Sequence, residues 1–446
     1  MKVRHASDDD APVGAGLSGA EQMLRTQARL ARAGTTTTTT TTGVHGTTMT
    51  TVQQSPPRLE VALGADEPAP VTGAWREGED PGERRFADVG HVVLEAGGFL
   101  PNVRLAYESW GRLSADRDNA VLVLHALTGD SHVVGPAGPG HPTAGWWEGL
   151  IGPGLPLDTD RWFVVAPNVL GGCQGTTGPS SAAPDGRPWG SRFPFVTVRD
   201  QVAVEAMLAD AIGIPKWGLV LGGSMGGMRA LEWAVTYPHR VERLLVIASG
   251  PYATGDQIAW CAPQLVAVRS DPGFAGGDYY DRAPGTGPHI GLGVARRIAH
   301  TTYRAGTEIN SRFGRAFQSG ENPLGGEGRF AVESYLDYHA DKLVRRFDAG
   351  SYVVLTEAMN SHDVGRGRGG VANALRRVTA ATIVVAVDSD RLYPPDLNRE
   401  IADAVPGDVP LDLIHSEYGH DGFLVETETV GGIVKDLLTR NAMVTC

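Results

Sequence analysis

A serine, an aspartate and a histidine, each placed where a strand should end, are the residues of this sequence best suited to covalent chemistry. The serine is Ser224, within Gly222-Gly223-Ser224-Met225-Gly226; the aspartate is Asp388 or Asp390; the histidine is His420. A serine hydroxyl attacks poorly until a neutral imidazole takes its proton, and the imidazole needs a carboxylate to fix its tautomer and stabilise the cation that forms. The pentapeptide matches the G-x-S-x-G nucleophile elbow, in which glycines flank the serine because the turn is too sharp and crowded for side chains. Such a match arises often by chance, so its weight lies in context. An apolar run, Trp217-Gly218-Leu219-Val220, precedes it and a helical pattern over 228–234 follows. A glycine-rich turn with a structural serine is the plainer alternative.

The chain order Ser, Asp, His is that of α/β-hydrolase triads. Spacing does not choose between Asp388 and Asp390, which both follow the apolar run 382–387. Among 13 histidines, His125, His362 and His415 could be argued on chemistry alone; position favours His420, between the last strand and the last helix. A negatively charged tetrahedral intermediate also needs N–H donors. The turn His125-Ala126-Leu127-Thr128-Gly129-Asp130, at the carboxyl end of the buried run 119–124, is a place for one. An ordinary strand exit is the alternative there.

These positions require a scaffold, and the pattern supplies one. Alternating apolar positions from Val89 to Tyr107 predict an opening β-hairpin. The continuous apolar run at 119–124 predicts a strand buried on both faces, and 161–166, 243–248, 382–387 and, last, 411–414 predict further strands. Helical spacing at 198–212 and 427–439 completes an alternation that argues for a mostly parallel sheet with helices on both sides. Between 251 and 378 the strand signals stop, and helices are predicted at 257–268, 293–303, 332–347 and 352–359. The predicted division is therefore a disordered Thr-rich leader at 1–57, holding the tract 35–42, a core at 58–250, an inserted helical lid at 251–378 and the rest of the core at 379–446.

The 446 residues carry a net charge of −12 and no lysine- or arginine-rich block, which removes electrostatic support for a nucleic-acid or anionic membrane partner. Small molecules are the expected partners. No apolar run approaches the roughly 20 residues of a membrane helix, and the first residues lack a secretory apolar region. Three cysteines, Cys173, Cys261 and Cys446, have no metal-type spacing and none sits at an elbow. A cytoplasmic protein without a metal is the expectation.

Taken together, His125-Ala126-Leu127-Thr128-Gly129, Gly145-Trp146-Trp147, Asn168-Val169-Leu170-Gly171-Gly172-Cys173, Gly178-Pro179-Ser180-Ser181, Gly222-Gly223-Ser224-Met225-Gly226-Gly227, Ser389-Asp390-Arg391-Leu392-Tyr393-Pro394 and Gly419-His420-Asp421-Gly422-Phe423 resemble the homoserine O-acetyltransferases. The likeness runs from about residue 85 to 440. It implies an α/β-hydrolase fold, Ser224 as nucleophile, His420 as base and Asp390, in place of Asp388, as its carboxylate. Leu127 and Met225 are implied as the oxyanion donors, and Arg296 and Asp421 as contacts for the carboxylate and ammonium of L-homoserine. Acetyl-CoA enters as co-substrate with no permanently bound cofactor, and the product would serve methionine synthesis. A homodimer is also implied. The nearest alternatives are a succinyl donor, a serine acceptor, or a serine esterase of the same fold. A catalytically idle interaction protein is more distant.

Overall fold

The computed structural model describes residues 68–318, 322–324 and 328–439, so the leader expected at 1–57 lies outside the described residues. Contacts divide the chain into one unit of 1–58 with 317–329 and another of 59–316 with 330–446. The second carries an eight-stranded sheet. Its strands are β1 (Arg85–Val93), β2 (Phe99–Trp110), β3 (Ala120–Leu124), β6 (Phe163–Pro167), β7 (Leu219–Gly223), β8 (Arg243–Ile247), β9 (Ala381–Val387) and β10 (Leu411–Ile414). A separate short ribbon joins β4 (Ile151–Gly152) to β5 (Leu157–Asp158). The order across the large sheet is β1-β2-β6-β3-β7-β8-β9-β10. The opening hairpin is antiparallel, as is β2 against β6, and every other pairing is parallel.

The continuous apolar runs reflect burial on both faces. Ala120, Leu122 and Leu124 of β3 join Val202 and Trp233 in one core cluster, while Val121 and Val123 join Trp147 and Val434 in another. Side chains alternate across a strand, so every residue of such a run must be apolar. Burying each large aliphatic group contributes about 1.5–3 kcal/mol before chain entropy is counted.

Two helices pack beside the central strands on the first of these faces. Helix α1 (Val198–Ala211) starts at a capping box: the Thr197 side chain accepts from the Asp200 N–H, and Asp200 accepts from the Thr197 N–H at 2.8 Å. Helix α2 (Met225–Thr236) follows β7 directly. Between β8 and β9 the described elements are helices: α3 (Gly255–Ser270), α4 (His289–Tyr303), α5 (Gly306–Phe313), α6 (Ala331–Arg346), α7 (Ala349–Asn360) and α8 (Val371–Leu375), with a short 3-10 segment. The chain ends with α9 (Pro395–Ala404), α10 (Gly422–Val425) and α11 (Thr427–Thr439). Helix α9 is absent from the sequence prediction, which passes from Pro394 to the run 411–414. Pro395 is its first residue, where a missing N–H costs nothing.

Candidate active site

At the end of β7 the backbone reverses through Ser224, which has φ 58° and ψ −124°. A positive φ is strained for a residue with a side chain, and the surroundings hold it there. The Ser224 N–H donates to the Ile247 carbonyl at 3.0 Å, and Ser249 Oγ donates to the Ser224 carbonyl at 3.0 Å. A Cβ on Gly222 would strike the backbone of Gly226, and one on Gly226 would strike the Leu124 carbonyl of β3. Both glycines are therefore demanded by close backbone approach. Met225 is the first residue of α2, so its N–H is among the four that a helix leaves without an internal acceptor.

Asp390 and His420 lie beyond the ends of β9 and β10. Asp390 Oδ2 meets His420 Nδ1 at 2.6 Å, and Oδ1 accepts from the Leu392 and Tyr393 N–H groups at 2.8 and 2.9 Å. Both residues are 4% exposed. On the same two loops, two residues before Asp390 and five before His420, stands a second pair, Asp388 with His415 at 2.8 Å, whose side chains are 39% and 81% exposed. Of the two candidate aspartates, only Asp390 reaches His420 in the hydrogen bonds of the described residues. Burial is the largest influence on the His420 imidazole and lowers its pKa, but the charge and hydrogen bond of Asp390, aided by Asp421, outweigh it and leave the pKa raised.

His125 and His362 have other work. His125 Nε2 accepts from the Val169 N–H at 3.0 Å while Nδ1 meets the Ala126 carbonyl at 2.8 Å; burial, then Arg229, hold it well below its ordinary pKa. It fixes the turn that carries Leu127. Arg229 of α2 braces the same turn, donating to the His125 carbonyl at 2.6 Å and pairing with buried Glu205 of α1 at 2.6 Å. His362 meets the Gly250 carbonyl at 3.2 Å and is pushed down to about 4, mainly by burial.

Ser224, His420, Leu127, Arg296 and Asp421 line one cavity of about 320 Å³. The Arg296 guanidinium lies 5.3 Å from the centre of the Tyr303 ring, while its neighbour Arg297 turns away to Asp337 at 2.6 Å. Asp421 has a raised pKa, chiefly from burial, opposed by Arg296, His420 and Arg304. Arg304 Nη1 stands 3.7 Å from Asp421 and also pairs with Glu308 at 2.9 Å. The arrangement can thus offer a nucleophile, a base, an oxyanion pocket, a cation and an anion to one small molecule.

A family model described as alpha/beta hydrolase fold matches residues 119–427. The chain is 67% identical over 374 residues to a homoserine O-acetyltransferase of Thermobifida fusca, spanning 84% of this chain and 98% of that one. The chain belongs to the homoserine O-acetyltransferase family. Among solved structures it resembles a homoserine O-acetyltransferase from Bacillus anthracis, with a TM-score of 0.74 and 26% identity over 80% of this chain and 98% of that one. Esterase E22 is similar to the same degree, with a TM-score of 0.73 and 26% identity over 80% and 99%.

Several residues around this family site went unremarked in the sequence. Tyr303, His300, His339, Lys342 and Arg346 all line the cavity. Their signal was helical spacing, since Arg296, His300 and Tyr303 recur at four and then three residues on α4, and His339, Lys342 and Arg346 at three and four on α6. Spacing gives a face without saying what the face looks at. Another cluster was also missed. Glu108, His132 and His141 are buried with potential ligand atoms within 4.8 Å of one another. Those atoms already bond: His132 Nδ1 meets Glu108 at 3.0 Å, and His141 Nε2 accepts from the Glu83 N–H at 3.1 Å. The Cys261 thiol is pushed up to about 11 by burial, and that of Cys173 higher still, so both resist forming the reactive thiolate.

Proposed function

We propose that this protein transfers the acetyl group of acetyl-CoA to the hydroxyl of L-homoserine, giving O-acetyl-L-homoserine for methionine biosynthesis. The observation that carries the reading is one cavity that holds Ser224 and His420 together with a cation, Arg296, and an anion, Asp421. A zwitterion bearing a hydroxyl is the ligand complementary to that set. The family's name supplies the acetyl group and the acceptor.

The reaction runs in two displacements. Ser224 Oγ attacks the thioester carbonyl while His420 Nε2 takes the serine proton, and Asp390 stabilises the resulting imidazolium. The oxyanion is received by the Met225 and Leu127 N–H groups. As the intermediate collapses, the carbon–sulfur bond breaks and His420 returns the proton to sulfur, so CoA leaves as a thiol. The homoserine hydroxyl then attacks the acetyl-serine. His420 takes its proton and passes it to Ser224 as the ester forms. Arg296 receives the acceptor's carboxylate and Asp421 its ammonium. Water competes for the acetyl-serine, and the clamp defeats it by raising the effective concentration of the hydroxyl.

Similarity to esterase E22 supports a second reading, in which water is the normal acceptor. One experiment separates the two. Acetyl-CoA and succinyl-CoA are supplied with homoserine, serine or no acceptor, while thiol release and product mass are followed. Rapid thiol release that requires homoserine and yields its acetyl ester is the expected result; equal release without acceptor overturns it. We place the protein in the cytoplasm as a homodimer. Among the described residues no helix is long and apolar enough to cross a membrane, and Ile258, Trp260 and Val266 of α3 and Ile290 of α4 are exposed apolar groups suited to a subunit contact.

A further inference from the structure

The facing sides of α4 and α6 carry polar atoms that no protein group satisfies. The rings of His300, on α4, and His339, on α6, stack with centres 3.9 Å apart and an interplanar angle of 25°. His300 Nε2 meets the Tyr335 hydroxyl at 2.8 Å. Three nitrogens are then left buried without a hydrogen-bond partner: His300 Nδ1, His339 Nε2 and Arg296 Nε. All three residues line the cavity that holds Ser224 and His420. A buried polar atom without a partner costs about 1–3 kcal/mol, and natural proteins keep few of them. Three at one cavity point to a group that arrives with the ligand.

The charge of the surroundings says what that group is. Arg296, Lys342 and Arg346 give this side of the cavity a positive field, while Asp421 is the carboxylate lining it. Burial, reinforced by Arg296, pushes the His339 imidazole down to about 3 and that of His300 lower, so both are neutral. A neutral imidazole donates through one nitrogen. When the Tyr335 hydroxyl donates to His300 Nε2, the proton of His300 rests on Nδ1, the unpartnered atom. The position also fits. Tyr303, whose ring centre is 6.2 Å from His300, stands 5.9 Å from His420, so the pair lies one ring beyond the group that handles the reacting hydroxyl.

We propose that His300 and His339 are specificity residues that, with Arg296, receive the α-carboxylate of the amino-acid acceptor. This inference rests on the acetyl-transfer reading above. With its proton on Nε2, His339 donates as His300 Nδ1 does, so selection of the acceptor depends on two uncharged imidazoles as well as on one arginine, and a hydroxyl compound without a carboxylate leaves them unpaired and is rejected.

The test uses His339→Phe and His300→Phe, which keep a ring in the stack and remove its nitrogens. L-Homoserinol, in which a CH₂OH replaces the carboxylate, serves as the matched acceptor. Each variant should raise the KM for homoserine roughly 10- to 100-fold, the range for a hydrogen bond to a charged group. The acetyl-CoA burst and KM should stay within about twofold, and the efficiency with homoserinol should match that of the native enzyme. His339→Gln, which retains an N–H donor, should recover part of the loss. An equal loss with homoserinol assigns the rings a shape role and overturns the proposal. A rise in the KM for acetyl-CoA instead points the nitrogens at the donor's phosphates and overturns it too. The native protein gives an independent readout: ¹⁵N signals of His300 and His339 should move on saturation with homoserine and stay still with homoserinol. If native enzyme acetylates no homoserine, the parent reading has failed; if it does so and the variants keep their KM, the subsite alone has failed.

Discussion

Asp390→Asn changes one atom of the site and leaves its shape intact. In the native structure Oδ1 is committed to two N–H groups, those of Leu392 and Tyr393, and Oδ2 to His420 Nδ1. The asparagine oxygen must keep the two backbone donors, so its NH₂ faces the imidazole. Two donors cannot share that contact. The His420 proton therefore moves to Nε2, the nitrogen that has to accept the serine proton. Flipping the amide would restore the tautomer but would set its NH₂ against both backbone N–H groups. Two buried hydrogen bonds lost cost about 2–6 kcal/mol, which leaves the competent form at between about one part in 30 and one part in 2 × 10⁴. Losing the carboxylate's stabilisation of the imidazolium carries the expected loss of turnover to about 10⁴-fold, the scale for this change in a serine triad. Thiol release from acetyl-CoA at saturating homoserine measures it, with circular dichroism to verify folding. Turnover within about tenfold of native, or an equal loss from Asp388→Asn, refutes the reasoning.

Ser224→Ala should lower turnover by roughly 10⁴–10⁶-fold and abolish labelling by a fluorophosphonate probe; near-normal transfer would end the covalent scheme. Arg296→Ala should raise the KM for homoserine and leave the acetyl-enzyme burst intact, and disappearance of the burst contradicts its role. Because the base must be neutral and the His420 pKa is raised, kcat/KM should fall as pH drops through a value above the ordinary histidine pKa of about 6.5. Asp390→Asn should shift that limb to lower pH, since the cation loses its partner; a limb that stays in place shows that another group titrates. Arg229→Met should leave Glu205 buried and unpaired and cost about 3–5 kcal/mol in denaturant unfolding, and a change under about 1 kcal/mol contradicts that burial argument.

What could be read from the sequence was whatever depends on neighbours along the chain. Strand periods and the elbow glycines are local, and the run 411–414 coincides with β10 and 427–439 with α11. The helices α5, α8, α9 and α10 were missed: α8 and α10 span only five and four residues, α5 is short and polar, and α9 starts at a proline pair. The site divides in the same way. Asp388 and Asp390 are two residues apart and each finds a histidine, so neither residue type nor spacing separates them. Their difference is solvent. At Asp388 the partner is an exposed imidazole, where water and salt screen the interaction. At Asp390 the pair is dry, and there the carboxylate can overcome the desolvation that would otherwise keep His420 from taking a proton.

The same reasoning explains why Arg296 looked like any helix arginine in the sequence. On the surface it would be one of many solvated cations. Beside Tyr303, with Nε buried and without a protein partner and two neutral imidazoles lining the same cavity, it belongs to the set of polar groups we assign to the acceptor's carboxylate. Asp421 is the acid of a lining that also carries Arg296, Lys342 and Arg346, and it shares Arg304 with Glu308. The acceptor we propose brings both signs at once and carries its hydroxyl into the cavity that Ser224 and His420 line.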